Sequence, residues 1–240
     1  MKVRLGMITI GQAPRVDVVP EMAELLGPAV EIVERGALDS LGPSEIEALT
    51  PGPDDEILVT RLVDGGSVFV GKRQITPRVQ WKIEELEAEG VAMSVLLCTG
   101  TFHGLRASRP LVEPDKILLG VLRGLSFKGR LGVLAPSARH VPQTEARWLS
   151  YGFDPVVAPL SPYDPAERLT VTGATSPGGA QSGAVAAAAR ALKADGTGLV
   201  LLDCIGFRRR TRHELQAALG VPVIVANLLV ARVVAELLAT

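Results

Sequence analysis

The chain has 240 residues, 47% of them apolar and 21% charged, with 25 basic and 26 acidic side chains. That length suits one large α/β domain or two small ones, and the apolar fraction excludes a disordered chain. Near-neutral charge with only nine aromatics argues against a nucleic-acid binder, two cysteines exclude a disulfide scaffold and suit a reducing cytoplasm, and no apolar run approaches the ~20 residues that span a bilayer.

In chain order, Leu5 to Ile10 reads as a strand, and Pro14 opens a helix through Leu26. An N-terminal signal peptide is rejected, because Gly6 and Gly11-Gln12-Ala13-Pro14 break the apolar stretch. Val30 to Val33 is strand-like and Ser44 to Leu49 a short helix. Ile57 to Val63 and Ser67 to Lys72 flank Asp64-Gly65-Gly66, a strong hairpin signal because a tight turn needs positive φ. This arm, about 56–72, reads either as a sheet extension or dimer contact, or as a lid over a cleft. Thr76 to Glu89 is an amphipathic helix with Pro77 in its first turn, and Val91 to Leu97 is a buried strand. Strands follow at Leu131 to Ala135, Val156 to Ala158, Leu199 to Leu202 and Val221 to Ala226. The remaining helices are Gln143 to Ser150, Ala184 to Lys193, Arg210 to Ala218 and Leu228 to Leu238. Wholly apolar strands separated by helices predict an α/β fold of parallel sheets covered on both faces.

The halves resemble each other. Arg4-Leu5-Gly6-Met7-Ile8 parallels Arg130-Leu131-Gly132-Val133-Leu134. Val95-Leu96-Leu97-Cys98-Thr99-Gly100-Thr101-Phe102 parallels Val200-Leu201-Leu202-Asp203-Cys204-Ile205-Gly206-Phe207, with one residue inserted. The expectation is two pseudo-symmetric lobes, 1–118 with 221–240 and 119–220, the last strand and helix returning to the first lobe.

Ligands of open parallel sheets bind beyond the carboxyl ends of the strands. Cys98 and Cys204 stand at two such ends, each with a glycine (Gly100, Gly206) two residues on. Backbone N–H groups there favour a thiolate. A lone strand-end cysteine is usually an inert buried residue. Here the chain's only two cysteines fall at the same point of each half. A disulfide would need close Cβ approach and an oxidising compartment. Zinc lacks a ligand set, since His103, His140 and His213 form no pair at helical spacing. Paired acid/base work remains: one thiolate removes a proton from a carbon while the opposite thiol delivers one to its other face.

This two-cysteine layout resembles the aspartate/glutamate/hydantoin racemase superfamily. Met7-Ile8-Thr9-Ile10-Gly11-Gln12-Ala13-Pro14-Arg15, Leu97-Cys98-Thr99-Gly100, Leu202-Asp203-Cys204-Ile205-Gly206 and Ala226-Asn227-Leu228-Leu229-Val230-Ala231-Arg232 resemble the signatures of its AroM family, which carries a similar hairpin arm. The resemblance spans the whole chain and implies a racemase-like fold of two lobes, with Cys98 and Cys204 as catalytic bases and no cofactor. It matches Thr99 to the carboxylate-binding neighbour of the first cysteine. At the second, Ile205 stands where amino-acid racemases carry threonine.

The remaining substrate-binding candidates are Thr9, Gln12, Arg15, Gly100, Thr101, Ser137, His140, Ile205 and Gly206. Arg15 could clamp a carboxylate bidentately or form a surface ion pair. Ser137 and His140 occupy the second lobe's first loop, and no G-x-S-x-G elbow supports a hydrolase. His103 could tune Cys98. Asp203 could orient or repel the Cys204 thiolate. Arg208, Arg209, Arg210 and Arg212 oppose the dipole at a helix start, so an anionic ligand, Glu214 or a partner could account for them, or simply a solvated face. Gly178-Gly179-Ala180-Gln181-Ser182-Gly183 reads as a flexible connection, lacking the lysine and hydroxyl of a phosphate loop. The reading is a cofactor-independent racemase, epimerase or isomerase acting on a small carboxylate-bearing molecule between the lobes. It is expected to be cytoplasmic, without metal, nucleic acid or membrane, and dimeric as related folds are. The alternative is a non-catalytic metabolite-binding or regulatory protein on the same fold.

Overall fold

The computed structural model describes residues 2–163 and 179–238. These separate into two compact units, Met1–Ile117 with Val230–Thr240, and Leu118–Leu229.

The first unit holds β1 (Val3–Thr9), α1 (Val19–Leu26), β2 (Val30–Gly36), α2 (Pro43–Glu47), β3 (Ile57–Arg61), β4 (Ser67–Gly71), α3 (Lys72–Ala88), β5 (Met93–Leu97) and β6 (Leu111–Val112). Its parallel sheet runs β2-β1-β5-β6. All five residues of β5 are buried, as a strand covered on both faces requires. Gly6 lets α3 approach that sheet: a Cβ there would sit 2.8 Å from Leu86 and from Ser94. The core joins Ile8, Leu58, Val70, Ile75, Ile83 and Leu96, and includes Cys98 and Phe102.

α4 (Pro114–Arg123) leads into the second unit. There follow β7 (Arg130–Ala135), a 3-10 turn at Ala138–His140, α5 (Val141–Ser150), β8 (Pro155–Pro159), α6 (Gly179–Ala194), β9 (Thr197–Leu202), α7 (Arg209–Leu219) and β10 (Val223–Val225). α8 (Ala226–Leu238) ends the chain's described part. The second parallel sheet runs β8-β7-β9-β10. Its order repeats that of the first sheet strand for strand. The fold is thus a pair of pseudo-symmetric α/β lobes, with a β-hairpin inserted in the first.

Several expectations are corrected. β10 pairs with β9 (Val223 with Val200), so the last strand stays in the second sheet and does not return to the first lobe. The helix expected from Pro14 begins at Val19. Before it, Glu34 and Asp39 side chains accept the Arg15 and Ala13 N–H groups at 2.7 and 2.9 Å, and these bonds compete with helix formation. α3 starts directly at Lys72, so Pro77 lies inside it and withholds the N–H that the Arg73 carbonyl would have received. β6 and the 3-10 turn, two and three residues long, are too short to show in the sequence, and α4 is an addition to the predicted elements. The hairpin extends neither sheet but pairs only with itself, through the loop closed by Leu62 N–H to the Gly66 carbonyl at 2.8 Å. Gly178 lies outside the described residues, and α6 begins at the next residue, where a flexible connection was expected. Among the described residues, no helix is long and apolar enough to cross a membrane.

Candidate active site

In the first unit, parallel pairing of Thr9 with Leu97 brings the β1 and β5 ends together. The Thr9-Gln12-Arg15 loop and the Cys98-Thr99-Gly100-Thr101 loop therefore emerge side by side. Cys98 is 8% exposed, and the Gly100 N–H points to its sulfur at 3.4 Å. That contact is a hydrogen bond a thiolate would strengthen.

The hairpin forms a wall of this loop cluster. Gln12 N–H donates to the Arg61 carbonyl at 3.2 Å, and Val63 N–H donates to Gln12 Oε1 at 3.0 Å. A Cβ at Gly11 would lie 2.3 Å from the Arg61 carbonyl oxygen and from Thr60 Oγ1, and one at Gly100 would lie 3.0 Å from Leu58. Glycine at both positions lets β3 close on the two loops.

Arg15 departs from both of its sequence readings. It is 2% exposed, which excludes a surface ion pair. Its Nε and Nη2 donate bidentately to Asp17 at 2.8 and 2.9 Å, and its Nη1 donates to Thr9 Oγ1 at 2.9 Å. The fork that would clamp a substrate carboxylate is thus engaged by Asp17. Thr9 Oγ1 also accepts the Gly11 N–H, so Thr9, Gln12 and Arg15 all brace the loop. Neither Asp17 nor Arg61 stood out in the sequence. The only signal was an Arg-x-Asp triplet, whose spacing does not reveal burial.

Burial pushes the Asp17 carboxyl up, but the Arg15 hydrogen bonds and charge, with the Arg61 charge, outweigh it and hold the pKa below the usual range. Glu34 behaves oppositely. Burial pushes it up by more than the Arg15 N–H and charge pull it down. A depressed carboxyl stabilises the fold while ionised, above its ordinary value of 3.8, and that contribution is lost as the pH falls through its folded value. Wild type should therefore melt above Asp17→Asn at neutral pH, with the gap closing in acid below that value. Thermal melts across a pH series check this, and a gap independent of pH would contradict it.

In the second unit, β7 and β9 pair Leu134 with Leu202, and Asp203 N–H donates to the Leu134 carbonyl at 3.0 Å. This sets the Ser137-His140 segment beside the Cys204-Ile205-Gly206 loop. Cys204 is 7% exposed and Ile205 is buried. Ser137 Oγ and His140 Nδ1 lie 2.8 Å apart, and His140 is buried. Asp203 is anchored on α5: its Oδ2 accepts the Trp148 indole N–H at 2.8 Å and pairs with Arg147. Asp203 accordingly orients the strand end. A Cβ on Gly206 would meet the Tyr163 ring at 2.8 Å. Asn227, from the first turn of α8, donates to the carbonyls of Ile205 at 2.9 Å and Phe207 at 2.8 Å. The Arg208–Arg212 run opens α7, where Arg210 pairs with Glu214 at 2.7 Å. His103 is exposed.

Both thiols are unbridged. Among the described residues no cluster of His, Cys, Asp and Glu could hold a metal ion. Each unit therefore presents one buried thiol at the carboxyl end of the third strand in its sheet, followed by a glycine-bearing loop.

Solved structures share this fold. Allantoin racemase from Klebsiella pneumoniae superposes with a TM-score of 0.63 at 18% identity, covering 99% of this chain and 88% of its own. Unliganded arylmalonate decarboxylase gives 0.61 at 18% identity, covering 100% and 93%. Glutamate racemase from Francisella tularensis subsp. tularensis SCHU S4, in complex with D-glutamate, gives 0.61 at 13% identity, covering 99% and 81%. No curated protein matches the sequence. A family model described as AroM protein matches residues 5–238, nearly the whole chain. That match over nearly the whole chain places it in the AroM family, and its fold is the racemase-like one these solved structures share.

Proposed function

We propose that this protein is a cofactor-independent racemase, epimerase or isomerase that moves a proton at a carbon next to a carboxylate. Cys98 and Cys204 are its two bases, acting from opposite faces of a small substrate. The observation carrying this reading is the repeated placement of the chain's only two cysteines, both buried and unbridged. As a thiolate, one sulfur accepts the proton from the substrate carbon, leaving the electron pair delocalised into the carboxylate. The other, as a thiol, returns a proton to the opposite face. The roles reverse for the other stereoisomer, so no net acid or base is consumed.

Thr99, Thr101 and the backbone of Gly100, Ile205 and Gly206 hold the carboxylate and the charge that builds on it. Ser137 and His140 contribute from the loop beside Cys204. Thr9, Gln12 and Arg15 support this set through the braced first loop. The protein works in the reducing cytoplasm, where both thiols persist, and forms a homodimer. The test is incubation of small chiral carboxylates and hydantoins with the protein in D2O. Deuterium should appear at the carbon next to the carbonyl with wild type and be absent with the double variant Cys98→Ser/Cys204→Ser. Equal incorporation by both proteins would overturn the reading.

One observation favours a second reading. Ile205 offers no hydroxyl, and Thr9, Gln12 and Arg15 already bond within the first unit. A metabolite-binding or regulatory protein would have these properties. It would be stabilised equally by ligand in wild type and in the double-cysteine variant, with no deuterium exchange.

A further inference from the structure

In each sheet the strand paired with the cysteine-bearing strand leads into a helix whose first turn carries one buried polar residue. In the first, Val95 pairs with Val112, and counting three residues on from each reaches Cys98 and Asp115. In the second, Val200 pairs with Val223, and counting four residues on from each reaches Cys204 and Asn227. Both polar residues are buried, and both lie in the first turn of a helix that follows its strand with no more than one residue between. The repeat thus carries an acid after one strand and a neutral amide after the other.

The amide is committed to the Cys204 loop. Asn227 Nδ2 donates to the carbonyls of Ile205 and Phe207, so both of its hydrogens are used within three residues of the sulfur. The same loop is closed by Phe207 N–H to the Cys204 carbonyl at 3.4 Å and backed by the Tyr163 ring at Gly206. The amide has only one workable orientation. Reversed, its oxygen would face two carbonyl oxygens, and a carboxylate at this position would do the same. In the observed orientation Asn227 Oδ1 is buried and has no hydrogen-bond partner among the described residues. A buried unpaired acceptor costs stability. The fold retains it at the residue that fixes the path of the chain after Cys204.

We propose that Asn227 is the positioning residue of Cys204, setting the course of the Cys204–Phe207 loop and with it the sulfur's presentation. Its importance for turnover rests on the reading of Cys204 as a base, but its test needs no substrate. Full-length protein is alkylated with iodoacetamide under non-denaturing conditions, and the rate at each cysteine is followed by peptide mass spectrometry. Cys98 serves as the internal control. In Asn227→Ala the Cys204 rate should rise about fivefold or more, as expected when a loop loses the net hold of its hydrogen bonds, with the Cys98 rate within about twofold of wild type. Asn227→Ser keeps one donor and should restore the Cys204 rate part of the way. Should Asn227→Ala fail to fold, the ratio of the two rates in Asn227→Ser decides alone, and it should exceed the wild-type ratio. An unchanged Cys204 rate would overturn the proposal. So would equal acceleration of both cysteines, which marks general loosening. Because no turnover is measured, these results stand apart from the deuterium-exchange test.

Discussion

Cys98→Ser and Cys204→Ser are each expected to slow interconversion of the substrate's stereoisomers by about 10²–10⁴-fold, the contribution typical of a positioned general acid or base. A serine hydroxyl is too weak an acid to supply a comparable anion at neutral pH, so either substitution breaks the relay at one face of the carbon. The two effects should not multiply. A relay that has lost one end has little left to lose at the other, so the double variant should fall close to the slower single variant. Stereoisomer ratios followed by chiral chromatography, with deuterium incorporation by NMR, measure this. Interconversion retained by both single variants would remove the two cysteines from the chemistry.

Arg15→Ala should destabilise the protein by about 3–5 kcal/mol, the range found when one partner of a buried ion pair is removed. The loss arises from what remains. Asp17 is itself buried and would keep only the charge of Arg61 near it, while Thr9 Oγ1 would lose one of its two donors. Arg15→Lys should recover only part of the loss, because one ammonium cannot reproduce the two parallel N–H bonds to Asp17. Urea unfolding followed by circular dichroism measures the difference. A loss below about 1 kcal/mol, the size of an exposed pair, would contradict the account of a braced first loop.

The sequence makes most of the α/β scaffold legible, and the reason is local. β1, β5, β7 and β9 are apolar enough to show as strands without any partner, and Asp64-Gly65-Gly66 announces its turn through a backbone requirement. What escaped depends on distant residues. β6 is two residues long and becomes a strand only by pairing with β5. β10 was assigned to the wrong sheet because its apolar run says nothing of which edge it joins. Around the cysteines, the sequence could nominate Thr9, Gln12 and Arg15 but not their partners. Arg15 turns inward because Asp17 lies two residues on and accepts two of its N–H groups in a buried pair. Gln12 faces the hairpin because Val63 arrives fifty-one residues later with an N–H to place. Asp203, ambiguous beside Cys204, is claimed by Arg147 and Trp148 from α5. Asn227 stood inside a family motif without a role until its two carbonyl partners gave it one.

The proposed proton transfer requires that Cys98 and Cys204 reach the same substrate carbon, so one short reagent should reach both sulfurs. Treatment of the native protein with 1,3-dichloroacetone, whose three-carbon chain bridges two neighbouring thiols, tests it most directly by intact mass and peptide mapping. The account predicts a single bridge joining Cys98 to Cys204 within one chain, blocked by bound substrate. Separate additions at each cysteine, with no bridge between them, would contradict it.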